Sequence, residues 1–150
     1  MNVEKDSADL CSLLNAKGVE FVVVGGYAVA FHGAPRFTGD LELLVGPDPH
    51  NVSRALDAVK EFGFPTADLS PEYLIDQGKI LQMGRVPLHV RVMTSISGVT
   101  WAEVWASRES GMYGGAPVFF IGRTTLIANK LASGRIKDRA DVEALQRRKP

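Results

Sequence analysis

The sequence predicts an α/β (α+β) fold, in which a mixed β-sheet is flanked by helices within a single domain, residues 1–150. Helical and strand patterns alternate through the first half of the chain, and later strands lie close enough together to form hairpins. A length of 150 residues is sufficient for one hydrophobic core. No repeat, low-complexity segment or linker interrupts the pattern, so we expect no domain boundary.

The elements of the first half are bounded by glycine and capping residues. Ser7 is the expected N-cap of the first helix, and Gly18 is placed to end it. An apolar, β-branched strand stops at Gly25-Gly26, and Gly63 ends the helix with apolar residues on one face. In chain order we predict helix 7–18, strand 20–24, helix 27–32, strand 40–45 and helix 48–62.

The second half combines short helices with a hairpin. Ser70 and Pro71 suit the cap and first position of a helix. Two apolar runs meet at Gly84-Arg85, which we expect to be the hairpin turn, and Gly134 separates the last two helices. In chain order we predict a short helix from residue 70, strands 79–83 and 86–93, helix 100–108, strand 118–121, and helices 124–133 and 137–148.

Composition excludes several classes of protein. The 17 basic and 17 acidic residues give a formal net charge of zero, so nucleic acid is not favoured as a partner. Cys11 is the only cysteine, which excludes an internal disulfide and favours a reducing, cytoplasmic location. No apolar run approaches the length of a membrane span, and the charged N-terminus does not resemble a signal peptide.

Two carboxylates alternate with leucines on the predicted strand 40–45. Because residues two apart on a strand share a face, Asp40 and Glu42 should project together while Leu41 and Leu43 enter the core. Two convergent carboxylates can hold a hard cation such as Mg²⁺ or Mn²⁺. Such a pair is also compatible with a solvated strand face, so the segments around it decide between the two interpretations.

A glycine pair and a loop precede this strand. Gly25 and Gly26 let backbone N–H groups approach phosphate without an intervening Cβ. In the loop, Arg36 is placed either to meet a triphosphate or to pair with Asp40, and Thr38 either to order the loop or to contact ligand. The order strand, glycines, helix, loop and acid strand suits a metal-bound nucleoside triphosphate.

These residues carry a family resemblance. The chain resembles the nucleotidyltransferases of the DNA polymerase β superfamily, in particular small bacterial minimal nucleotidyltransferases and abortive-infection toxin-like proteins. The end of the chain, 130–141, also resembles the helix pair that closes these proteins. The matching positions are Gly25, Gly26, His32, Gly33, Arg36, Thr38, Asp40 and Glu42.

The resemblance implies transfer of a nucleoside monophosphate from a nucleoside triphosphate to a hydroxyl, with Mg²⁺ or Mn²⁺ as cofactor. It implies that Asp40 and Glu42 are the catalytic and metal-binding acids. The residues that it implies for nucleotide binding are Gly25, Gly26, Arg36, Thr38 and Lys130.

The third acid of the family pattern is replaced. Relatives carry an aspartate where this chain has Arg91, on the strand before Thr-Ser-Ile-Ser-Gly. A guanidinium there opposes a second metal ion and can pair with Asp40 or Glu42 instead. If the alignment is displaced by two residues, Arg91 lies on an exposed strand face. The groups left as stand-in bases are His89, Glu72 and Asp76.

The sequence therefore supports two hypotheses. The first is a nucleotidyltransferase whose transfer is weakened by Arg91. The second is a catalytically degenerate nucleotide-binding protein, a pseudoenzyme, or a toxin–antitoxin interaction module. The expected ligand is a nucleoside triphosphate, and the expected protein partner is a toxin, an antitoxin or a second copy of the chain, with no membrane involved.

Overall fold

The computed structural model describes residues 3–35, 39–77, 81–85 and 88–147. Within these ranges the helices are α1 (Val3–Ala16), α2 (Gly25–Phe31), α3 (Pro49–Phe62), α4 (Pro71–Gln77), α5 (Trp101–Ser107), α6 (Arg123–Ser133) and α7 (Ile136–Arg147). The strands are β1 (Phe21–Val24), β2 (Asp40–Val45), β3 (Leu81–Arg85), β4 (Leu88–Met93), β5 (Glu109–Tyr113) and β6 (Ala116–Phe120).

The six strands form one mixed sheet in the order β3-β4-β2-β1-β6-β5. Strand β2 pairs antiparallel with β1 and parallel with β4, and β1 pairs parallel with β6. The outer pairs β3–β4 and β5–β6 are antiparallel. This arrangement, with helices packed around it, confirms the predicted fold class.

The core is centred on the inner strands. All four residues of β1 are buried, and so are Leu41, Leu43, Leu44 and Val45 of β2. Helix α1 adds Leu10, Leu14 and Cys11 to the core, and burial raises the pKa of the Cys11 thiol to about 12. The acid strand is therefore anchored by its own leucines, which fixes the face that its carboxylates use.

Several predicted helix boundaries are confirmed by capping contacts. Asp48 accepts a hydrogen bond from the Asn51 amide at the start of α3, and Gly63 ends that helix with φ of 116°. The Ser70 hydroxyl accepts from the Tyr73 amide at the start of α4. Gly134, with φ of 69°, ends α6.

Four predictions about elements were wrong. Ser7 is not an N-cap: α1 begins at Val3, four residues earlier, so that Ser7 lies buried inside the helix. The glycine pair does not separate β1 from α2 but forms the first turn of α2. Gly84 and Arg85 continue β3 and do not form the hairpin turn, because both pair with β4. Strand β5 was not expected at all.

A candidate nucleotide site beside the acid strand

Asp40 and Glu42 lie on the same face of β2. The residues between and after them, Leu41 and Leu43, are fully buried on the opposite face. The Asp40 side chain is 43% exposed and the Glu42 side chain is 23% exposed, so both carboxylates can reach solvent or a ligand. The alternation predicted from the sequence thus places two acids together at the start of an inner strand.

Gly25 makes room for the Glu42 carboxylate. A Cβ at position 25 would overlap the Glu42 side chain, and Gly25 also has φ of 69°, a conformation that favours glycine. The glycine pair was expected to approach phosphate, and Gly25 does line the cavity described below. Gly26 is buried in the first turn of α2 and is not part of the cavity wall.

Strand β4 places a basic side chain opposite each acid. In the parallel register Asp40 faces His89 and Glu42 faces Arg91. His89 Nδ1 lies 3.6 Å from Asp40 Oδ1, and Arg91 Nη1 lies 3.8 Å from Glu42 Oε1. The position expected for a third acid therefore holds a guanidinium that lies beside Glu42.

A cavity of about 350 Å³ opens beside Glu42. One wall is formed by Glu42 and Arg91 of the sheet and by Gly25 at the start of α2, and the other by residues of α6, of α7 and of the turn after β4. The uncharged polar residues of this second wall, which were not predicted from the sequence, are Ser95, Ser97, Asn129 and Ser133. Asn129 Nδ2 donates to the Ser97 carbonyl over 2.9 Å, which joins α6 to the turn after β4.

Lys130 is held in a buried ion cluster at the base of the second wall. Its Nζ lies 3.2 Å from Asp138 Oδ1 and 3.1 Å from Asp141 Oδ2, and all three side chains are at most 5% exposed. Arg135 also binds Asp138, with Nε 2.7 Å from Oδ2. Lys130 does line the cavity, but its ammonium group is engaged by the two aspartates.

The cluster also fixes the charge of Asp138. Burial alone would raise the pKa of this carboxyl, but hydrogen bonds from Arg135 and Lys130 outweigh burial and lower the pKa to about 2. The hydrogen bond to Asp138 in turn raises the pKa of Arg135, with a smaller contribution from the charge of Glu42. Asp138 lies in the first turn of α7, and both Asp138 and Asp141 tie this helix to α6 through Lys130.

The remaining predicted positions lie elsewhere. Arg36 and Thr38 fall outside the described residues. His32 Nε2 lies 2.7 Å from the carbonyl oxygen of Ile121, which joins the end of α2 to the residue after β6. Of the stand-in bases, His89 is beside the acid pair, whereas Glu72 and Asp76 lie on α4 and are not in the cavity wall.

The donor set fits one divalent cation but not two. Asp40 and Glu42 supply hard oxygen ligands, and Mg²⁺ commonly uses one or two carboxylates together with phosphate oxygens. Among the described residues no three His, Cys, Asp or Glu side chains form a group that could hold a metal ion. At the third position the Arg91 guanidinium would repel a second cation. No described helix is long and apolar enough to cross a membrane.

Comparisons with known proteins identify the fold. No family model matches the chain, and no curated protein matches it by sequence. Among solved structures, it is similar to the lincosamide antibiotic adenylyltransferase LnuA in its lincomycin-bound form, with a TM-score of 0.61, 11% identity and 96% of each chain covered.

Two further structures show the same likeness. An antigenic nucleotidyltransferase-like protein from Paracoccidioides brasiliensis has a TM-score of 0.58 and 14% identity, over 96% of this chain and 76% of that one. The antibiotic-resistance factor ANT(2'')-Ia has a TM-score of 0.61 and 10% identity, over 97% of this chain and 84% of that one. The chain therefore has the nucleotidyltransferase-like fold that the sequence predicted.

Proposed function

We propose that this chain binds a nucleoside triphosphate with one divalent cation and transfers the nucleoside monophosphate slowly to a hydroxyl acceptor. The observation that carries the proposal is the placement of Glu42, whose carboxylate lies against Gly25 at the edge of the 350 Å³ cavity and on the same strand face as Asp40. The nucleotidyltransferase-like fold supports the same function, since two of the similar structures are described as an adenylyltransferase and a nucleotidyltransferase-like protein.

The roles of the residues follow from their positions. Asp40 and Glu42 would hold the cation. When bound, Mg²⁺ or Mn²⁺ would neutralise phosphate charge and orient the triphosphate. The cavity between Gly25 and the second wall would receive the nucleotide, with Ser97 and Asn129 offering polar groups to it. Arg36 and Thr38, which lie outside the described residues, remain predicted contacts.

Arg91 explains why transfer would be slow. In the reaction the acceptor oxygen bonds to the α-phosphorus, the bond to the bridging oxygen breaks, and pyrophosphate leaves. The third acid of related sites would take the hydroxyl proton, but an arginine remains protonated and cannot accept it. The proton would pass to solvent, and loss of a positioned base costs about 10²–10⁴-fold in rate.

The experiment measures binding and transfer separately. Calorimetry with ATP and GTP, with and without Mn²⁺, tests nucleotide binding, and incorporation of labelled α-phosphate tests transfer. We expect binding that depends on the divalent cation together with slow incorporation. Failure to bind any nucleotide in the presence of Mn²⁺ would contradict the proposal.

A second candidate is nucleotide binding without transfer. The observation that favours it is the ion pair of Glu42 with Arg91, which neutralises that carboxylate without a metal, beside the 3.6 Å contact of Asp40 with His89. Binding without any incorporation of labelled α-phosphate would select this candidate. The toxin, antitoxin or homodimer partner stays a prediction: copurification of a second protein would test the first two, and size-exclusion chromatography of the purified chain would test the homodimer.

A further inference from the structure

Arg91 is held near Glu42 by charge and not by a hydrogen bond. The 3.8 Å separation of Nη1 and Oε1 is longer than a hydrogen bond, although it is within ion-pair distance. The Nε atom of Arg91 is enclosed and meets no hydrogen-bond acceptor among the described residues. The guanidinium therefore keeps its N–H donors while its side chain, 30% exposed, lines the cavity.

The other cations of the cavity wall are committed to aspartates. Of the three basic side chains that line the cavity in the described part of the chain, Lys130 is buried between Asp138 and Asp141. Arg135 makes two hydrogen bonds to Asp138, of 2.7 and 3.3 Å. Of these three side chains, Arg91 would therefore lose the least interaction energy if it left its carboxylate partner for another anion.

Arg91 and the proposed divalent cation compete for the carboxylate of Glu42. The carboxylate is paired with Arg91, yet it is also one of two acids proposed to hold the divalent cation. A cation at Glu42 and the guanidinium of Arg91 repel each other across a few ångströms in a partly desolvated site. Conversely, a phosphate group brought close to Arg91 is repelled by Glu42 for as long as no cation neutralises that carboxylate.

We propose that Arg91 exchanges Glu42 for the phosphate chain of the nucleotide when the divalent cation binds Glu42, so that cation and polyphosphate are bound as a coupled pair. This inference rests on the proposed function and adds a role for Arg91. The guanidinium binds phosphate oxygens in place of a second cation, because its planar N–H donors match their geometry. Each ligand alone binds weakly, and each strengthens the binding of the other.

The test uses each ligand alone on the full chain. Calorimetry measures binding of Mn²⁺ without phosphate, and of inorganic triphosphate in EDTA without divalent cation, for the wild type, Arg91→Gln and Arg91→Lys. We expect Arg91→Gln to bind Mn²⁺ about tenfold more tightly and triphosphate about tenfold more weakly than the wild type. Arg91→Lys retains the positive charge, so its affinities for Mn²⁺ and for triphosphate should both be closer to those of the wild type than to those of Arg91→Gln. Thermal denaturation of each variant reports whether it is folded.

Arg147→Gln is the matched control, since Arg147 lies at the far end of α7, 70% exposed, and pairs only loosely with Glu143 at 4.0 Å. It should leave both affinities within about twofold of the wild type. The exchange is overturned if Arg91→Gln moves both affinities in the same direction or moves neither, or if wild-type affinity for triphosphate is the same with and without saturating Mn²⁺. A separate titration with Mn²⁺-ATP distinguishes failure of the exchange from failure of the proposed function, because only the proposed function is refuted if neither the wild type nor any variant binds Mn²⁺-ATP.

Discussion

Arg91 Nη1 lies 3.8 Å from Oε1 of Glu42, on the strand that pairs in parallel with the acid strand. A nucleotidyltransferase-like sheet thus carries an arginine where its third acid is expected. The ion pair neutralises the charge of Glu42 without a metal. Four predictions follow from this pair and the residues around it.

Arg91→Asp should restore an acid at the third position. Removing the guanidinium and adding a carboxylate should raise Mn²⁺ affinity by at least about tenfold and increase incorporation of labelled α-phosphate. Calorimetry and the labelling assay measure the two effects, with Arg147→Asp as the control for a charge change outside the cavity. Unchanged Mn²⁺ binding in Arg91→Asp would show that Arg91 does not act at the site.

Asp40→Asn should weaken binding of the Mn²⁺–nucleotide complex by at least about tenfold, or about 1.4 kcal/mol, because it removes one of two anionic ligands. Asp9→Asn removes the same charge from an exposed position on α1 and should have no effect on binding. Titration of both variants with Mn²⁺-ATP compares them directly. Equal affinities for the two variants would exclude Asp40 as a ligand.

Gly25→Ala should displace the Glu42 carboxylate. Gly18 has nearly the same φ, 68° against 69°, but a Cβ at Gly18 meets nothing within 4 Å. Both substitutions should therefore cost about 1 kcal/mol of left-handed strain. Only Gly25→Ala should lose more stability than this and also lose Mn²⁺–nucleotide binding, which denaturant unfolding and calorimetry would reveal. The same binding loss in Gly18→Ala would contradict the assigned role of Gly25.

Asp138→Asn should destabilise the fold by about 3 kcal/mol, because it leaves Lys130 buried with half of its pairing charge. The pKa of Asp138 is lowered to about 2 from an ordinary 3.8, so the free energy of unfolding should also fall at low pH; this fall is called the acid limb. The stabilisation from Asp138 is present above the ordinary pKa of 3.8 and is lost as the pH falls towards 2, since the unfolded carboxyl binds a proton in this range while the folded carboxyl stays ionised.

Unfolding by urea between pH 2 and pH 6 measures this limb. In Asp138→Asn the dependence on pH below 4 should be flatter than in the wild type. Glu143→Gln, which removes an exposed acid from α7, should keep the wild-type acid limb and change stability by less than about 0.5 kcal/mol. An unchanged acid limb in Asp138→Asn would show that other carboxyls set it.

Local patterns in the sequence were sufficient for the acid strand and its surroundings. Strand β2 has the predicted bounds, Asp40–Val45, because alternating leucines and a following Gly-Pro specify both its face and its end. The start of α3 was equally local, since it depends on Asp48 and Pro49. These features need no knowledge of distant segments.

Features that depend on distant segments could not be predicted. Strand β5 has the sequence Glu-Ser-Gly-Met-Tyr, without apolar alternation, and it exists because β6 offers a partner at the sheet edge. The Lys130–Asp138–Asp141 cluster forms across the α6–α7 turn, and only the packing of these helices distinguishes it from a set of solvated charges. Ser95 and Asn129 line the same cavity although more than thirty residues separate them in the chain.

The parallel pairing of β2 with β4 has a consequence for folding. Helices α3 and α4 and strand β3 lie between these two strands in the chain, so Glu42 and Arg91 meet only after that whole crossover is in place. The cavity then also requires α6 and α7 from the far end of the chain. A molecule bound there should slow amide hydrogen exchange throughout the central strands, because unfolding of the sheet destroys the cavity and binding stabilises the folded state against it.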